Sequence, residues 1–393
     1  MDGANMTSSP PNFTPETSSP LLAQLENQGF VLIRSLLTGP QLTALRGAAS
    51  RLADRARKGD WPEVRTVGKQ FPPWPGPEGP GKPRPEGIWG VQGLLERGRY
   101  EGSGQDEDWR VFARIYFSDA LLGIVEELLE CSGGDDDDDD GHSGPEERGG
   151  LVMELLNMLV APPTPFALRW HRDDIPDTAT VAEEEARLCC ASPGSRGGRG
   201  RRQLQLHAQY NLALHADASL VVVPGSHRRA RTDAERAADP FDAVPGREMP
   251  GAVPVRLAAG DCVFYDNNIL HRGVYAGRDG PPDAGAGAGE RFGERLTLHG
   301  SVGHIRAGTA RARNVLQHGV GRWVGSCVFG EDVWLDQQQQ QQQQQQKEPE
   351  LGWPEGRTDH EKARLARRAE GMRARLVRLG QESGDYVGFS LEG

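Results

Sequence analysis

The sequence has few cysteines, and their placement excludes functions that depend on paired thiols. Its 393 residues include five cysteines at irregular spacing, two of them adjacent at Cys189 and Cys190. No Cys-x-x-Cys pair is present to hold zinc or to exchange disulfides. We therefore expect a reducing intracellular environment, with the cytoplasm favoured and the peroxisome kept as the alternative.

Long apolar runs and an excess of positive charge are also lacking. No stretch approaches the ~18 apolar residues of a membrane-spanning helix, and the N-terminus has no basic and then apolar signal segment. The formal net charge is -11, with a run of six aspartates at 135–140. Because no basic field would attract nucleic acid and no membrane span is present, we expect neither nucleic acid nor a membrane as a partner, and no obligate protein partner is evident.

Tracts of biased composition interrupt the chain near 132–150, 192–202 and 279–290, and again at 336–355, which contains a run of glutamines. Such tracts bury too little apolar surface to offset the entropy lost on ordering. We predict a disordered tail at 1–20 and one domain at 21–335 that carries the first three tracts as disordered insertions. A Gln-rich linker at 336–355 and an amphipathic helix with a tail at 356–393 would follow.

Between these tracts the middle of the chain has the alternation and β-branched composition of short strands. Strands are predicted at 151–160, 169–173, 203–214, 219–223, 251–257, 262–265 and 295–301. Turns are expected at Pro224-Gly225 and Gly260-Asp261. Many short strands without crossover helices between them predict an antiparallel, cupin-like jelly roll.

Helices are predicted on either side of this strand-rich region, so the fold class is mainly β with flanking helices. Helical spacing of apolar residues appears at 21–27 and 119–129. A capping box at Thr38 and Gln41 predicts the start of another helix, and a second box at Thr358 and Glu361 starts the C-terminal one. The apolar stripe of this last helix is expected to pack against the outside of the barrel.

The sharpest local signal for chemistry is the pair His171 and Asp173. Side chains at positions i and i+2 of a strand share one face, so both can point into the barrel while Asp174 points away. One imidazole and one carboxylate are two of the three ligands in the facial triad that binds Fe(II) in oxygenases.

His271 is our candidate for the third ligand among the ten histidines of the chain. It follows the Gly260-Asp261 turn and an apolar strand, and Gly273 leaves room beside it. The alternative is a hydrogen-bonded histidine of the core.

A cation is also expected if the metal works with 2-oxoglutarate, whose distal carboxylate needs a buried partner. Arginine suits this role because its planar fork binds a carboxylate through two hydrogen bonds. Arg295 fits, with Thr297 on the same face of a predicted strand, and Arg291 is its competitor. Gln209 and Asn211 alternate with apolar residues, which indicates either a solvent face or, as we favour, the pocket.

Taken in order, these motifs resemble the phytanoyl-CoA dioxygenase family of 2-oxoglutarate oxygenases over roughly residues 20–330. The resemblance rests on Met158-Leu159-Val160-Ala161-Pro162-Pro163, His171-Arg172-Asp173, the Leu-Val-Val-Val-Pro-Gly-Ser-His segment at 220–227, His271-Arg272-Gly273 and Arg295. It implies a double-stranded β-helix that uses Fe(II), 2-oxoglutarate and O₂.

Several residue roles follow from the resemblance. It implies iron on His171, Asp173 and His271, and the co-substrate carboxylate on Arg295. Met158 and Tyr210 occupy positions that in the family lie beside the co-substrate, and we add Asn211 and Thr297 to this group from their strand positions.

The function that the resemblance implies is hydroxylation or desaturation of a small organic substrate, with release of succinate and CO₂. Asp173 favours this outcome, because related halogenases lack the carboxylate. The alternatives are a cupin-like metalloenzyme that does not use 2-oxoglutarate and a non-catalytic binding protein on a degenerate oxygenase scaffold. An acyl-CoA, an amino-acid derivative and a secondary metabolite all remain open as substrate.

Overall fold

The computed structural model describes residues 19–67, 87–104, 106–131, 150–189, 206–238, 240, 248–277, 295–334 and 358–384. The predicted tail before residue 19, most of the three predicted insertions and the Gln-rich linker lie outside these residues. Within them, no helix is long and apolar enough to cross a membrane.

The described residues form helices at the two ends of the chain and strands mainly in its middle. The helices are α1 (Pro20–Gln28), α2 (Gly39–Lys58), α3 (Asp106–Tyr116), α4 (Asp119–Leu129), α5 (Val181–Cys189), α6 (Asp233–Ala237), α7 (Gly308–Val315) and α8 (Asp359–Glu382). The strands are β1 (Phe30–Ile33), β2 (Val64–Thr66), β3 (Ile88–Val91), β4 (Leu151–Val160), β5 (Phe166–Ala167), β6 (His207–Ala213), β7 (Leu220–Val222), β8 (Val253–Pro254), β9 (Cys262–Tyr265), β10 (His271–Tyr275) and β11 (Leu296–His304).

These strands make two sheets, and every strand pairing among the described residues is antiparallel. The larger sheet has the order β1-β9-β6-β11-β4-β3-β2, and the smaller has the order β5-β10-β7-β8. The prediction of a mainly β, jelly-roll fold with flanking helices is therefore confirmed.

The two faces of the large sheet have different neighbours because side chains alternate along each strand. Leu298 and Leu212 belong to the large apolar core that the sheet shares with the helices. Their neighbours Thr297 and His299 point the other way, towards the small sheet, where Thr297 bonds Asp217. The polar face of the large sheet therefore lines the space between the sheets.

The C-terminal helix is found where its capping box predicts it. Thr358 caps α8, with both hydrogen bonds of the box to Glu361 present. Its apolar stripe is buried and contacts β4, so the helix packs outside the large sheet as expected. On its basic side, Arg368 donates to Asp119 of α4 at 2.9 Å.

The predicted strand at 169–173 is wrong. Trp170 N donates to Pro240 O, His171 pairs with His271, and Asp173 N donates to Asn267 O at 2.8 Å. Because these hydrogen bonds go to Pro240, His271 and Asn267 in turn, no single neighbouring strand forms a continuous ladder with this segment, and His171 makes only an isolated bridge. Strand β10, which begins at the candidate ligand His271, was not predicted from the sequence.

Candidate metal centre

Three side chains that the sequence analysis selected come together at the edge of the small sheet. His171, Asp173 and His271 each offer a ligand atom, and these atoms all lie within 4.8 Å of one another. The Nε2 atoms of His171 and His271 lie 3.6 and 3.8 Å from the same carboxylate oxygen, Oδ1 of Asp173. Two imidazoles and one carboxylate form the donor set that suits Fe(II) with open coordination positions.

Both imidazole rings are oriented in the same way by the backbone. Nδ1 of His171 lies 2.8 Å from the carbonyl oxygen of Arg169, and Nδ1 of His271 lies 2.9 Å from that of Ile269. A carbonyl can only accept, so each Nδ1 carries the proton and each Nε2 presents a lone pair. Hydrogen bonds of this kind fix the tautomer of histidines that bind metals.

The protonation states also suit a metal ligand set. Burial and the neighbouring His271 lower the pKa of His171 to about 4, against the opposing effect of Asp173. Burial alone would raise the pKa of Asp173, but His271, His171 and a hydrogen bond from Gln209 outweigh it and hold that pKa below its usual value. At neutral pH the site therefore offers a neutral His171 and an ionised carboxylate, and metal binding requires these forms.

The loop after β7 ties the two ligand segments together. Arg172 points away from the metal ligands and donates to the carbonyl oxygens of Ser226 and Arg229, both at 2.9 Å. The Ser226 hydroxyl accepts from the backbone N–H of Leu270 at 2.8 Å. The Pro-Gly-Ser-His segment thus acts structurally, and His227 binds the carbonyl oxygen of Glu26 rather than a metal ligand.

Gln209 contacts the carboxylate of the candidate site directly. Its Nε2 donates to Oδ2 of Asp173 at 2.9 Å, leaving Oδ1 towards the two histidines. Asn211, two residues along the same face, accepts from Nδ1 of His299 at 2.9 Å. The two residues therefore lie in the interior, as the alternation indicated, and Asn211 supports His299 from this position.

Arg295 is buried, with 8% of its surface exposed, near the other end of the interior face. Its Nε donates to Oδ2 of Asp217 at 2.9 Å, and the Thr297 hydroxyl donates to the same oxygen at 2.6 Å. The guanidinium carbon lies 4.5 Å from the centre of the Tyr275 ring. Burial alone would lower the pKa of Arg295, but Asp217 outweighs it and raises that pKa, so the side chain stays charged.

One donor of Arg295 is left over. Its NH1 is buried and has no hydrogen-bond partner among the described residues. A buried donor without a partner is costly, and a carboxylate is the group that an arginine fork binds best. The residues present therefore fit a dicarboxylate co-substrate, whereas the competitor Arg291 lies outside the described residues.

Met158 and Tyr210, which were expected beside the co-substrate, face away from the three candidate ligands. Both side chains lie in the apolar core on the helix side of the large sheet, because they alternate with residues that face the interior. Tyr210 packs against Phe264, with 5.5 Å between ring centres. Both residues serve packing and do not reach the candidate site.

Asp217 is the residue of this region that sequence reasoning missed. It lies in the connection from β6 to β7, where nothing in the local pattern marks a charged residue as buried. Its position is fixed by backbone hydrogen bonds with Leu257 in both directions and by the N–H of Ser219, which donates to Oδ1 at 2.8 Å.

One family model and several solved structures are similar to parts of this chain. A family model described as phytanoyl-CoA dioxygenase matches residues 213–274, a range that includes His271. None of the curated proteins matches the sequence. Among solved structures, AviO1 from Streptomyces viridochromogenes Tue57 is 17% identical, with 74% of this chain and 96% of that chain covered and a TM-score of 0.40.

Two further similar structures were solved with small molecules bound. HygX from Streptomyces hygroscopicus, with nickel, 2-oxoglutarate and hygromycin B, is 13% identical, with 72% of this chain and 86% of that chain covered and a TM-score of 0.43. EctD from S. alaskensis, with 2-oxoglutarate and 5-hydroxyectoine, is 15% identical, with 77% of this chain and 80% of that chain covered and a TM-score of 0.42. The family match agrees with the motifs found at 220–227 and 271–273, so this part of the chain is similar to the phytanoyl-CoA dioxygenase family.

Proposed function

We propose that His171, Asp173 and His271 hold Fe(II), and that Arg295 binds the distal carboxylate of 2-oxoglutarate through NH1. The chain would then hydroxylate a small organic substrate, with desaturation as the alternative outcome. One oxygen atom of O₂ enters the substrate C–H bond and the other enters succinate, with CO₂ released. The observation that carries the proposal is that NH1 of Arg295 is buried without a hydrogen-bond partner among the described residues. This donor needs an acceptor, and it lies on the same interior face as the candidate metal ligands.

The protein's own part is to bind and to orient. His171 and His271 keep their Nε2 lone pairs turned towards Oδ1 of Asp173. Gln209 occupies the second carboxylate oxygen, which leaves a single oxygen of Asp173 for the metal. When bound, Fe(II) and 2-oxoglutarate supply the oxidant that removes hydrogen from the substrate.

Arg295 also separates this proposal from that of a cupin-like metalloenzyme that works without 2-oxoglutarate. Asp217 accepts from Nε, and Tyr275 also shares a hydrogen bond with the guanidinium, so NH1 remains for a ligand. A metalloenzyme without 2-oxoglutarate would not need a buried cation with a spare donor at this place.

The test is anaerobic titration of the Fe(II)-loaded protein with 2-oxoglutarate, followed by calorimetry. Arg295→Ala should retain iron but weaken 2-oxoglutarate binding by about thirtyfold or more, because losing one partner of a buried charged hydrogen bond costs about 2–5 kcal/mol. The affinity of Arg295→Lys for 2-oxoglutarate should lie between those of the native protein and Arg295→Ala, since lysine keeps the charge and lacks the planar fork. Asp173→Ala should lose iron itself.

The same experiment identifies the alternatives. Iron-dependent turnover without any consumption of 2-oxoglutarate would favour the other type of metalloenzyme. A native protein that retains no Fe(II) under anaerobic conditions would favour a non-catalytic binding protein.

A further inference from the structure

A polar, partly open cavity of about 330 Å³ lies beside the candidate metal centre. It is formed by the residue after Asp173, the start of β6, the loop before His271 and helix α7. The side chains that matter here are those of Asp174, His207, Asp266, Asn267, Asn268 and Arg311.

The cavity lies on the side of the metal group away from Arg295. Along the interior face, β11 and β6 pair Thr297 with Ala213, Ser301 with Gln209 and Gly303 with His207. The Arg295 site is beside Thr297, Asp173 is attached at Gln209, and the cavity begins at His207. A co-substrate that extends from the metal to Arg295 would therefore leave the cavity free for the substrate.

Several buried polar atoms of the lining have no partner among the described residues. They are Oδ1 of Asn267, Oδ1 of Asn268 and Nε2 of His207. Asn267 is only 4% exposed. Since buried polar groups in proteins are nearly always hydrogen-bonded, this lining is suited to a ligand that brings several hydrogen-bond donors.

The charge of the lining is negative. Its one arginine, Arg311, is neutralised by the buried Glu154, which accepts from Nε at 2.8 Å and from NH2 at 2.6 Å. Asp174 and Asp266 contribute two carboxylates to the lining, and Asp266 accepts from the backbone N–H of Asn268 at 2.7 Å. Nearby carboxylates favour a positively charged group and disfavour an anion.

We propose that this cavity binds the substrate, and that the substrate is a small cation with several hydrogen-bond donors, such as an amino polyol. The inference rests on the proposed function, because it takes the metal group as the reacting centre. The volume is at the lower end of the range for ligand pockets, which argues against a long acyl chain or a coenzyme thioester.

The test uses one sugar skeleton in three charge states: glucosamine, glucose and glucuronate. The full-length protein is loaded with Mn(II) and 2-oxoglutarate, and the proton relaxation of each probe is measured by NMR. Paramagnetic Mn(II) broadens only probes that bind close to the metal, and the Zn(II)-loaded protein is the diamagnetic control. Glucosamine should be broadened several-fold more than glucose, and glucuronate should be least affected.

Two variants connect the effect to the cavity. Asp174→Asn removes one negative charge. Asn267→Leu replaces the hydrogen-bond acceptor Oδ1 with an apolar side chain of similar size. Each should reduce the broadening of glucosamine about tenfold while Mn(II) and 2-oxoglutarate bind with unchanged affinity by calorimetry.

Three results would overturn the inference: no broadening of glucosamine, broadening of glucuronate to the same or a greater extent, or no effect of either variant. A failure of the proposed function is distinct, because the native protein would then fail to bind the metal or 2-oxoglutarate before any probe is added.

Discussion

Gln209 donates a hydrogen bond from Nε2 to Oδ2 of Asp173 across 2.9 Å, and this contact attaches the carboxylate of the candidate metal centre to the large sheet. The attachment is needed because the segment that carries Asp173 is not a regular strand. Gln209 is itself held, since the Tyr265 side chain shares a hydrogen bond with it. The geometry of the metal group therefore depends on β6 and β9 as well as on its own ligands.

We expect Gln209→Leu to weaken Fe(II) binding by about 10- to 100-fold, the usual effect of losing a residue that orients a metal ligand. The change removes the donor that fixes Oδ2 of Asp173 without removing a ligand. Metal affinity is measured by anaerobic calorimetry on the folded variant.

Tyr210→Phe is the matched control, because the next residue of β6 faces the helices instead of the site. It should leave the affinities for Fe(II) and for 2-oxoglutarate unchanged. If Tyr210→Phe weakened 2-oxoglutarate binding, the placement of Tyr210 in the core would be contradicted.

The candidate ligands could be predicted from the sequence because their types and order are unusual together, even though each is common alone. His227 shows the limit of this approach, since its type fits a ligand while its ring binds the Glu26 carbonyl oxygen. Order along the chain selected His271 instead. The structure then brings His271 to His171 through backbone hydrogen bonds of 3.1 Å that no local pattern could indicate.

What could not be predicted depends on contacts between distant segments. Met158 and Tyr210 were assigned by their positions in a family pattern, and strand alternation places both on the opposite face. Asp217 and Arg295 lie 78 residues apart and meet because β6, which leads into the connection with Asp217, pairs with β11 and sets Ala213 opposite Thr297. By contrast, the ends of α4, β4 and β9 were predicted correctly, because local composition decides them.

We expect Asp217→Ala to destabilise the protein by about 3–5 kcal/mol, because it leaves the buried Arg295 without its charged partner. Saturating 2-oxoglutarate should recover part of this loss, since its carboxylate would compensate the guanidinium. Chemical unfolding of the metal-loaded protein, with and without 2-oxoglutarate, measures both effects.

Glu154→Ala serves as the control for this rescue. The buried carboxylate of Glu154 pairs with Arg311 at the far end of the interior, so its removal should destabilise the protein without any additional recovery by 2-oxoglutarate. Equal recovery of the two variants would mean that 2-oxoglutarate does not bind at Arg295.

The stability of the protein should fall as the pH drops below about 6.5, and His299 should contribute to the fall. Burial and the nearby Arg65 lower the pKa of His299 to about 3, so the folded state binds its proton less readily than the unfolded state. The stabilising contribution is therefore present above the unfolded pKa and is lost between about pH 6.5 and 3. At pH 5 the loss from this residue is about 2 kcal/mol, at ~1.4 kcal/mol for each pH unit below 6.5.

His299→Gln should flatten this pH dependence, which is measured as the free energy of unfolding in urea between pH 5 and 7.5. The exposed His360 on α8 provides the control, and His360→Gln should keep the slope of the native protein. An unchanged slope in His299→Gln would show that His299 is not kept neutral by the interior.

Gly300→Ala should destabilise the fold without changing metal binding. A Cβ at Gly300 would lie 2.4 Å from the ring of Tyr210, and that ring is too deeply buried to move aside. Overpacking of this kind costs about 1–3 kcal/mol, while Tyr210→Ala alone should cost about 3–5 kcal/mol through the cavity it leaves. In the double variant the Tyr210 ring is absent and cannot clash with the added Cβ, so the double variant should lose less stability than the sum of the two single losses.

Thermal unfolding of the native protein and the three variants measures this coupling, and calorimetry with Fe(II) should give one affinity for all four proteins. A Gly300→Ala variant with native stability, or a drop in iron affinity in any of the three variants, would contradict the separation of a packing face from a chemical face on the large sheet.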